Sequence, residues 1–226
     1  MSHQVGEPVR FWRTGLWERT KFEDMNKDRL VAWLRAHLAG RNEPLFVGLD
    51  GPSGAGKSTI AAVLSHDLDL DVSVIQGDEF YGGGSLESWA GRSAPEIVAN
   101  GIDWARQRRV LESLRSDGQV RWAAFDWETD DWDSDEARLS GKSIETFAHP
   151  LVLLEGAYSC RPELHSVLDR LVLLDPPRNI RRAQLLAREG EAYRSKWEAL
   201  FSEAEDHYFN EIMPSNQFDL VLDQPA

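Results

Sequence analysis

The segment Gly51-Pro52-Ser53-Gly54-Ala55-Gly56-Lys57-Ser58 constrains this chain more than any other stretch. It fits the pattern G-x-x-x-x-G-K-[ST], and Thr59 follows. With 17 glycines, 5 lysines and 23 serines and threonines among 226 residues, chance supplies roughly 0.003 such matches. The context agrees with the motif. An apolar run, Pro44 to Leu49 (PLFVGL), precedes it, and a helix of roughly ten residues is expected from Lys57. The glycines let the backbone bend so that several N–H groups point inward at phosphate oxygens, and the helix N-terminus adds the positive end of its dipole. Lys57 is expected to reach the β- and γ-phosphates, and the Ser58 hydroxyl to hold Mg²⁺. The candidate nucleotide-binding residues are therefore Gly51, Pro52, Ser53, Gly54, Ala55, Gly56, Lys57, Ser58 and Thr59. Such a loop says that a nucleoside triphosphate binds, but not what is done with it.

Around the loop the chain alternates strand and helix. Asp71 to Gln76 (DVSVIQ) reads as a second strand. Pro150 to Leu154 and Leu171 to Leu174 are continuous apolar runs, the sign of strands covered on both faces of a parallel sheet. Val120 to Phe125 is a further strand candidate, and Phe218 to Leu222 the last. Asn26 to Ala39 carries Leu30, Val31, Leu34 and Leu38 on one stripe and ends at Gly40, an amphipathic helix. Asp103 can cap a helix running to about Ser116, and helices follow from about Arg178 and about Glu191. Strands separated by helices imply βαβ units. The stretch from Gly82 to Gly101 reads as a mobile loop. Residues 1–43 are expected to form an N-terminal extension and helix packed on the core, with Phe11, Trp12, Trp17 and Phe22 in no clear period. Residues 44–226 are expected to form the main domain, with an insertion at about 78–135.

Charge and cysteine content exclude several classes. The balance of 25 basic against 38 acidic residues, −13 in all, argues against a protein that wraps nucleic-acid phosphates. Seven acidic residues cluster between Asp126 and Glu136, which reads mainly as a solvated loop. No apolar run approaches the ~20 residues that span a bilayer, and the first residues lack a signal-peptide core. Cys160 stands alone and the six histidines form no ligand-spaced pair, so neither a disulfide framework nor a transition-metal site is expected. A cytoplasmic protein acting on a small molecule, with no nucleic-acid or membrane partner, is the expectation. The chain gives no reading of its oligomeric state.

Ligands of open α/β sheets sit beyond the carboxyl ends of the strands. Asp50, Asp78 and Glu155 fall there. Glu155 suits a Mg²⁺ site together with Ser58. Asp78 suits proton abstraction from an attacking hydroxyl, with Tyr81 close by in the chain. For either carboxylate, a plain turn-capping role is about equally expected from these residues alone. Of the nine tryptophans, only Trp127 is a candidate for stacking on a ligand; Arg106, Arg108, Arg109 and Arg115 read as solvated.

The order of these motifs resembles the P-loop kinases of the uridine kinase type. The resembling residues are Gly51 to Thr59, then Asp78-Glu79-Phe80-Tyr81, Phe125-Asp126-Trp127 and Glu155-Gly156, followed by Arg178, Arg181, Arg182 and Arg188. The likeness covers roughly residues 44 to 223, from the strand before the loop to the last strand. It implies an α/β fold: a three-layer α/β/α sandwich around a mostly parallel five-stranded sheet, with a small lid at about 186–196. It also implies ATP with Mg²⁺ and phosphoryl transfer to an acceptor hydroxyl. In that reading Lys57, Asp78, Arg181, Arg182 and Arg188 are catalytic, with Asp78 the general base. Tyr81, Phe125, Asp126 and Trp127 line the acceptor pocket, and Ser58 and Glu155 hold the metal. Three family features depart. No histidine follows Phe125-Asp126-Trp127 up to Asp135, and no ribose-binding aspartate is evident between Gly82 and Gly101. The helix pattern R-R-x-x-R-D becomes Arg181-Arg182-Ala183-Gln184-Leu185-Leu186, its third basic residue missing or displaced to Arg188. Those departures, and the acidic stretch, point to a neutral polyol or nucleoside and not to uridine in particular. A sugar, glycerate or pantothenate-like alcohol is the alternative acceptor, and a nucleotide-switched regulatory protein the alternative class.

Overall fold

The computed structural model describes residues 10–127, 139–190 and 200–223. Its central sheet has five strands in the order β2-β5-β1-β6-β7, and every pairing is parallel. In chain order these are β1 (Leu45–Asp50) and β2 (Val72–Gln76), then β5 (Leu151–Glu155), β6 (Arg170–Leu174) and β7 (Leu220–Leu222). The remaining two, β3 (Gln119–Phe125) and β4 (Leu139–Phe147), pair antiparallel as a separate hairpin. Val120 to Phe125 is thus a strand as expected, but outside the central sheet. Its burial alternates over Gln119 to Trp122 and is partial beyond, where β1 and β5 are buried throughout, as suits a hairpin with one wet face.

The pleat sorts the sheet's side chains into two cores. Phe46, Val152 and Leu154 join Ile75, Phe80 and Trp89 on one face, covered by α6 (Trp104–Asp117) through Val110, Leu111 and Leu114. Their chain neighbours Leu45, Val47, Leu151 and Leu153 join Leu30 and Leu34 of α1 (Arg10–Leu38) on the other. That second face is completed by Ile60 of α2 (Lys57–Ala61), Leu64 and Leu68 of α3 (Leu64–Leu68) and Ile180 of α7 (Arg178–Glu189). Burying each such aliphatic side chain contributes roughly 1.5–3 kcal/mol before chain entropy is counted. The result is the expected three-layer α/β/α sandwich.

Four local expectations are corrected. The Gly82 to Gly101 stretch is not an open loop: it carries α4 (Leu86–Ala90) and α5 (Ala94–Asn100), the latter begun by a capping box between Ser93 and Glu96. Trp89 anchors α4, fully buried with its indole N–H donated to Gly83 O at 3.1 Å. The helix expected from Lys57 is two short helices, and the N-terminal helix starts at Arg10, well before Asn26. The expectation of solvated arginines on α6 fails at Arg106, whose side chain is 14% exposed; Arg109 and Arg115 are exposed as expected, and Arg108 is partly so. Arg115 lies over the Phe46 ring at 4.2 Å and pairs with Asp169 at 3.1 Å, and Arg106 is discussed below. Residues 200–212 are helical and end in a π-helical turn, Tyr208–Ile212; this segment is α8. The acidic stretch beyond Trp127, Trp132, Trp197 and most of the expected lid lie outside the described residues.

Candidate active site

Residues 51–58 wrap from the end of β1 into the start of α2, as the motif requires. Gly54 has φ +75°, and a Cβ there would lie 2.7 Å from Arg181 O, so the loop tip packs on the backbone of α7. Only glycine permits both that conformation and that approach. Lys57 is nearly buried and folds along its own loop, donating to Gly51 O at 2.7 Å and Pro52 O at 3.2 Å. Its ammonium is therefore held against the first two carbonyls of the loop, and Lys57 is not among the residues lining the cavity described below.

The three strand-end carboxylates have separate positions. Asp50 is fully buried and accepts four hydrogen bonds: Gly51 N (2.8 Å), Tyr158 N (3.0 Å), Cys160 N (2.9 Å) and the Tyr208 hydroxyl (2.7 Å). Its oxygens are spent on holding the loop after β5 and α8 against the P-loop. Desolvation nevertheless raises its pKa above the ordinary carboxylate value. Glu155, at the tip of β5, is 4% exposed. Burial raises its pKa, while the Lys57 charge and a hydrogen bond with the Ser58 hydroxyl oppose the rise. Asp78 follows β2 in a 3-10 turn, Gly77–Phe80, and its side chain is exposed to the cavity. The tips of β2 and β5 approach without side chains between them. A Cβ on Gly77 would lie 3.0 Å from Glu155 O and 3.2 Å from Gly156 Cα. This contact brings Asp78 near Glu155, close enough for its charge to raise the Glu155 pKa further.

Ser58 and Glu155 fit a magnesium ion. The pair offers one hydroxyl and one carboxylate, hard oxygen donors at neighbouring positions of the site. Among the described residues no cluster of three or more histidine, cysteine or acidic side chains could form a protein cage. Mg²⁺ bound with nucleotide needs none, because phosphate oxygens and waters complete its octahedron.

A cavity of about 510 Å³ opens over the loop. Ser53 and Asp78 line one side of it, and Arg178, Arg181, Arg182 and Arg188 of α7 face them. Tyr81 and Trp127 form an aromatic wall, their ring centroids 5.2 Å apart. Phe125 does not line the cavity but backs this wall, edge-on to Tyr81 at 5.0 Å and to Trp127 at 4.7 Å. Asp126 is not among the lining residues either.

Arg106, read from sequence as solvated, ties the wall to the turn bearing Asp78. It donates to Glu79 O at 3.1 Å and to Ala123 O of β3 at 3.0 Å, and its guanidinium lies 5.1 Å from the Phe80 ring centroid. Trp127 donates its indole N–H to Asp78 O at 3.2 Å, and Asp103 N donates to Phe80 O at 2.7 Å. Three successive carbonyls of the turn are thus held by the acceptor-side elements. Gln76, Tyr158, Phe201 and Glu205 also line the cavity and carried no sequence motif.

The fold and this arrangement set a P-loop at the carboxyl end of a parallel five-stranded α/β sheet. No family model matches the chain. A uridine kinase of Clostridium perfringens is 24% identical over 178 residues, covering 77% of this chain and 81% of that protein. Among solved structures, a possible uridine kinase from Bacillus stearothermophilus aligns with a TM-score of 0.66 at 22% identity, covering 88% of this chain and 97% of that one. A candidate fructose transport system kinase from Silicibacter sp. TM1040 aligns with a TM-score of 0.60 at 20% identity, covering 87% and 98%. The chain is thus similar in sequence to a uridine kinase and in fold to these two solved structures. No helix among the described residues is long and apolar enough to cross a membrane.

Proposed function

We propose that the protein is an ATP- and Mg²⁺-dependent small-molecule kinase that transfers the γ-phosphoryl group to an acceptor hydroxyl, with a nucleoside or similar neutral polyol as acceptor. One observation carries the reading: a single cavity is lined by Ser53 of the P-loop, by Asp78 and by the arginines of α7. A nucleotide-switched regulatory protein has no need of a carboxylate and an aromatic wall at its phosphate site. A sugar or glycerate-like alcohol is the alternative acceptor, and the fold likeness to the candidate fructose transport system kinase keeps it in the test.

The chemistry asked of these residues is mainly positioning and charge neutralisation. The P-loop amides and Lys57 hold the β- and γ-phosphates. Ser58 and Glu155 would hold Mg²⁺, which neutralises phosphate charge when bound. Tyr81 and Trp127 orient the acceptor with its hydroxyl toward Asp78. Asp78 takes the hydroxyl proton as the oxygen–phosphorus bond forms and the bond between the γ-phosphorus and the bridging oxygen breaks, leaving ADP. Arg181, Arg182 and Arg188 stabilise the charge on the transferring group.

The test measures ATP consumption against a panel of nucleosides, sugars and small alcohols. Stimulation by one acceptor is the expected result; slow turnover indifferent to all of them would select the regulatory reading. With the acceptor in hand, Asp78→Asn is expected to lower kcat by about 10²–10⁴-fold while nucleotide affinity stays within about twofold. Unchanged kcat would remove Asp78 as the base.

A further inference from the structure

Glu205 is a nearly buried carboxylate on the wall of the cavity, where a negative charge is unfavourable unless it holds something in place. It holds two things. One oxygen accepts the Ser53 N–H of the P-loop at 2.8 Å, and the other pairs with Nη1 of Arg181 at 3.8 Å. One turn further along α8, Tyr208 donates its hydroxyl to Asp50 at 2.7 Å. Residues 205 and 208 lie on the same helix face, so α8 grips the P-loop at both its entrance and its tip. Arg181 is itself three-quarters or more covered, at 18% side-chain exposure, and its Nε has no hydrogen-bond partner among the described residues. A guanidinium has five donors in a rigid fork. Here the fork lines the cavity with a carboxylate ion-paired to one of its arms at 3.8 Å.

We propose that Glu205 is a positioning residue that holds Arg181 for the terminal phosphate, giving the site its preference for a nucleoside triphosphate over a diphosphate. The inference rests on the nucleotide reading above and adds to it a residue that never touches the substrate's reacting atoms. Replacing Glu205 by Gln keeps an oxygen to accept the Ser53 N–H but removes the charge that anchors Arg181. Simple loss of a nearby anion would strengthen binding of both nucleotides, most of all the more highly charged one. Loss of positioning does the reverse to their ratio, so the two effects have opposite signs.

The experiment is calorimetric titration of the full chain, in magnesium buffer, with ADP and with a β,γ-imido analogue of ATP. The wild type is expected to prefer the analogue. Glu205→Gln is expected to lower that preference about 5–10-fold, the low end of measured coupling between sites. In an Arg181→Met background the same change is expected to leave the ratio within about twofold, because the residue through which it acts is gone. An unchanged or raised preference in Glu205→Gln overturns the proposal, and so does an equal fall in both backgrounds. Should Glu205→Gln fail to fold, Glu205→Asp withdraws the carboxylate from both partners. It is expected to lower the ratio to a similar degree, and an unchanged ratio there is equally fatal. Absence of binding by the wild type to either nucleotide would instead sink the nucleotide reading itself.

Discussion

Replacing Asp50 by Asn separates an anchor from a metal ligand, because Asp50 and Glu155 end adjacent parallel strands yet have different surroundings. The four donors on Asp50 are three backbone N–H groups and one phenolic O–H. An asparagine is almost isosteric, but its one carbonyl oxygen replaces Oδ1 and accepts from Gly51 N and Tyr158 N, while its NH₂ meets Cys160 N–H donor to donor and the Tyr208 hydroxyl can turn to accept from it. One buried donor left unsatisfied costs about 1–3 kcal/mol. Burial raises the Asp50 pKa, so its charge is incompletely compensated, and removing that charge offsets part of the loss. The net expectation is a fall of about 1–2 kcal/mol, read as a lower urea midpoint at unchanged slope. The pH dependence has a definite sign. A raised folded-state pKa means that the folded chain binds the proton more tightly. The associated stability is full below the unfolded value of 3.8 and is lost as pH rises through the folded value. Asp50→Asn should flatten that segment. It should also leave the magnesium requirement for nucleotide binding intact, whereas Glu155→Gln weakens it. A loss below about 0.5 kcal/mol, the range of ordinary surface substitutions, would refute the anchoring role. Loss of the magnesium requirement at unchanged stability would assign Asp50 to the metal instead.

Three further expectations follow from the same geometry. Gly77→Ala places a Cβ 3.0 Å from Glu155 O and 3.2 Å from Gly156 Cα, both backbone; it should destabilise by about 1–3 kcal/mol and lower kcat more than it changes the KM for ATP. Arg106→Met frees Glu79 O and Ala123 O at once, and should raise the KM of the acceptor found in the panel about tenfold with little change in that for ATP; equal effects on both would make Arg106 merely structural. Glu163 takes two hydrogen bonds from Arg161, at 2.8 and 2.9 Å, and these lower its pKa below 4.5. Its stabilising contribution is present above 4.5 and lost as pH falls through the folded value. Glu163→Gln should remove about 1–2 kcal/mol at pH 7 and blunt the acid side of the stability profile, as chemical denaturation across pH would show.

What sequence reveals here divides by the range of the cause. The P-loop and the strand-end positions of Asp78 and Glu155 are set by neighbours in the chain. An apolar run, a glycine turn and a helix start are local, so eight residues suffice to read them. The pleat explains why β1, β5 and β6 read as buried strands without a partner being known. The errors have the opposite character. Gly82 to Gly101 is rich in turn residues, yet folds into two helices because Trp89 and Ile97 find a core contributed by distant elements. Arg106 looks like any exposed helix arginine until the hairpin and the 3-10 turn place two carbonyls before it.

Glu205 shows the same limit from the functional side. Nothing near it in sequence marks it, and its partners Ser53 and Arg181 lie 152 and 24 positions away. A motif can name the groups that touch a triphosphate, since their spacing is fixed by the ligand. It cannot name the groups that aim them, because those are chosen by whichever element the fold happens to lay alongside. In this chain α8 is that element. An account of the site drawn only from its motif would give α7 four cavity-facing arginines and no reason for Arg181 to stay where a terminal phosphate needs it.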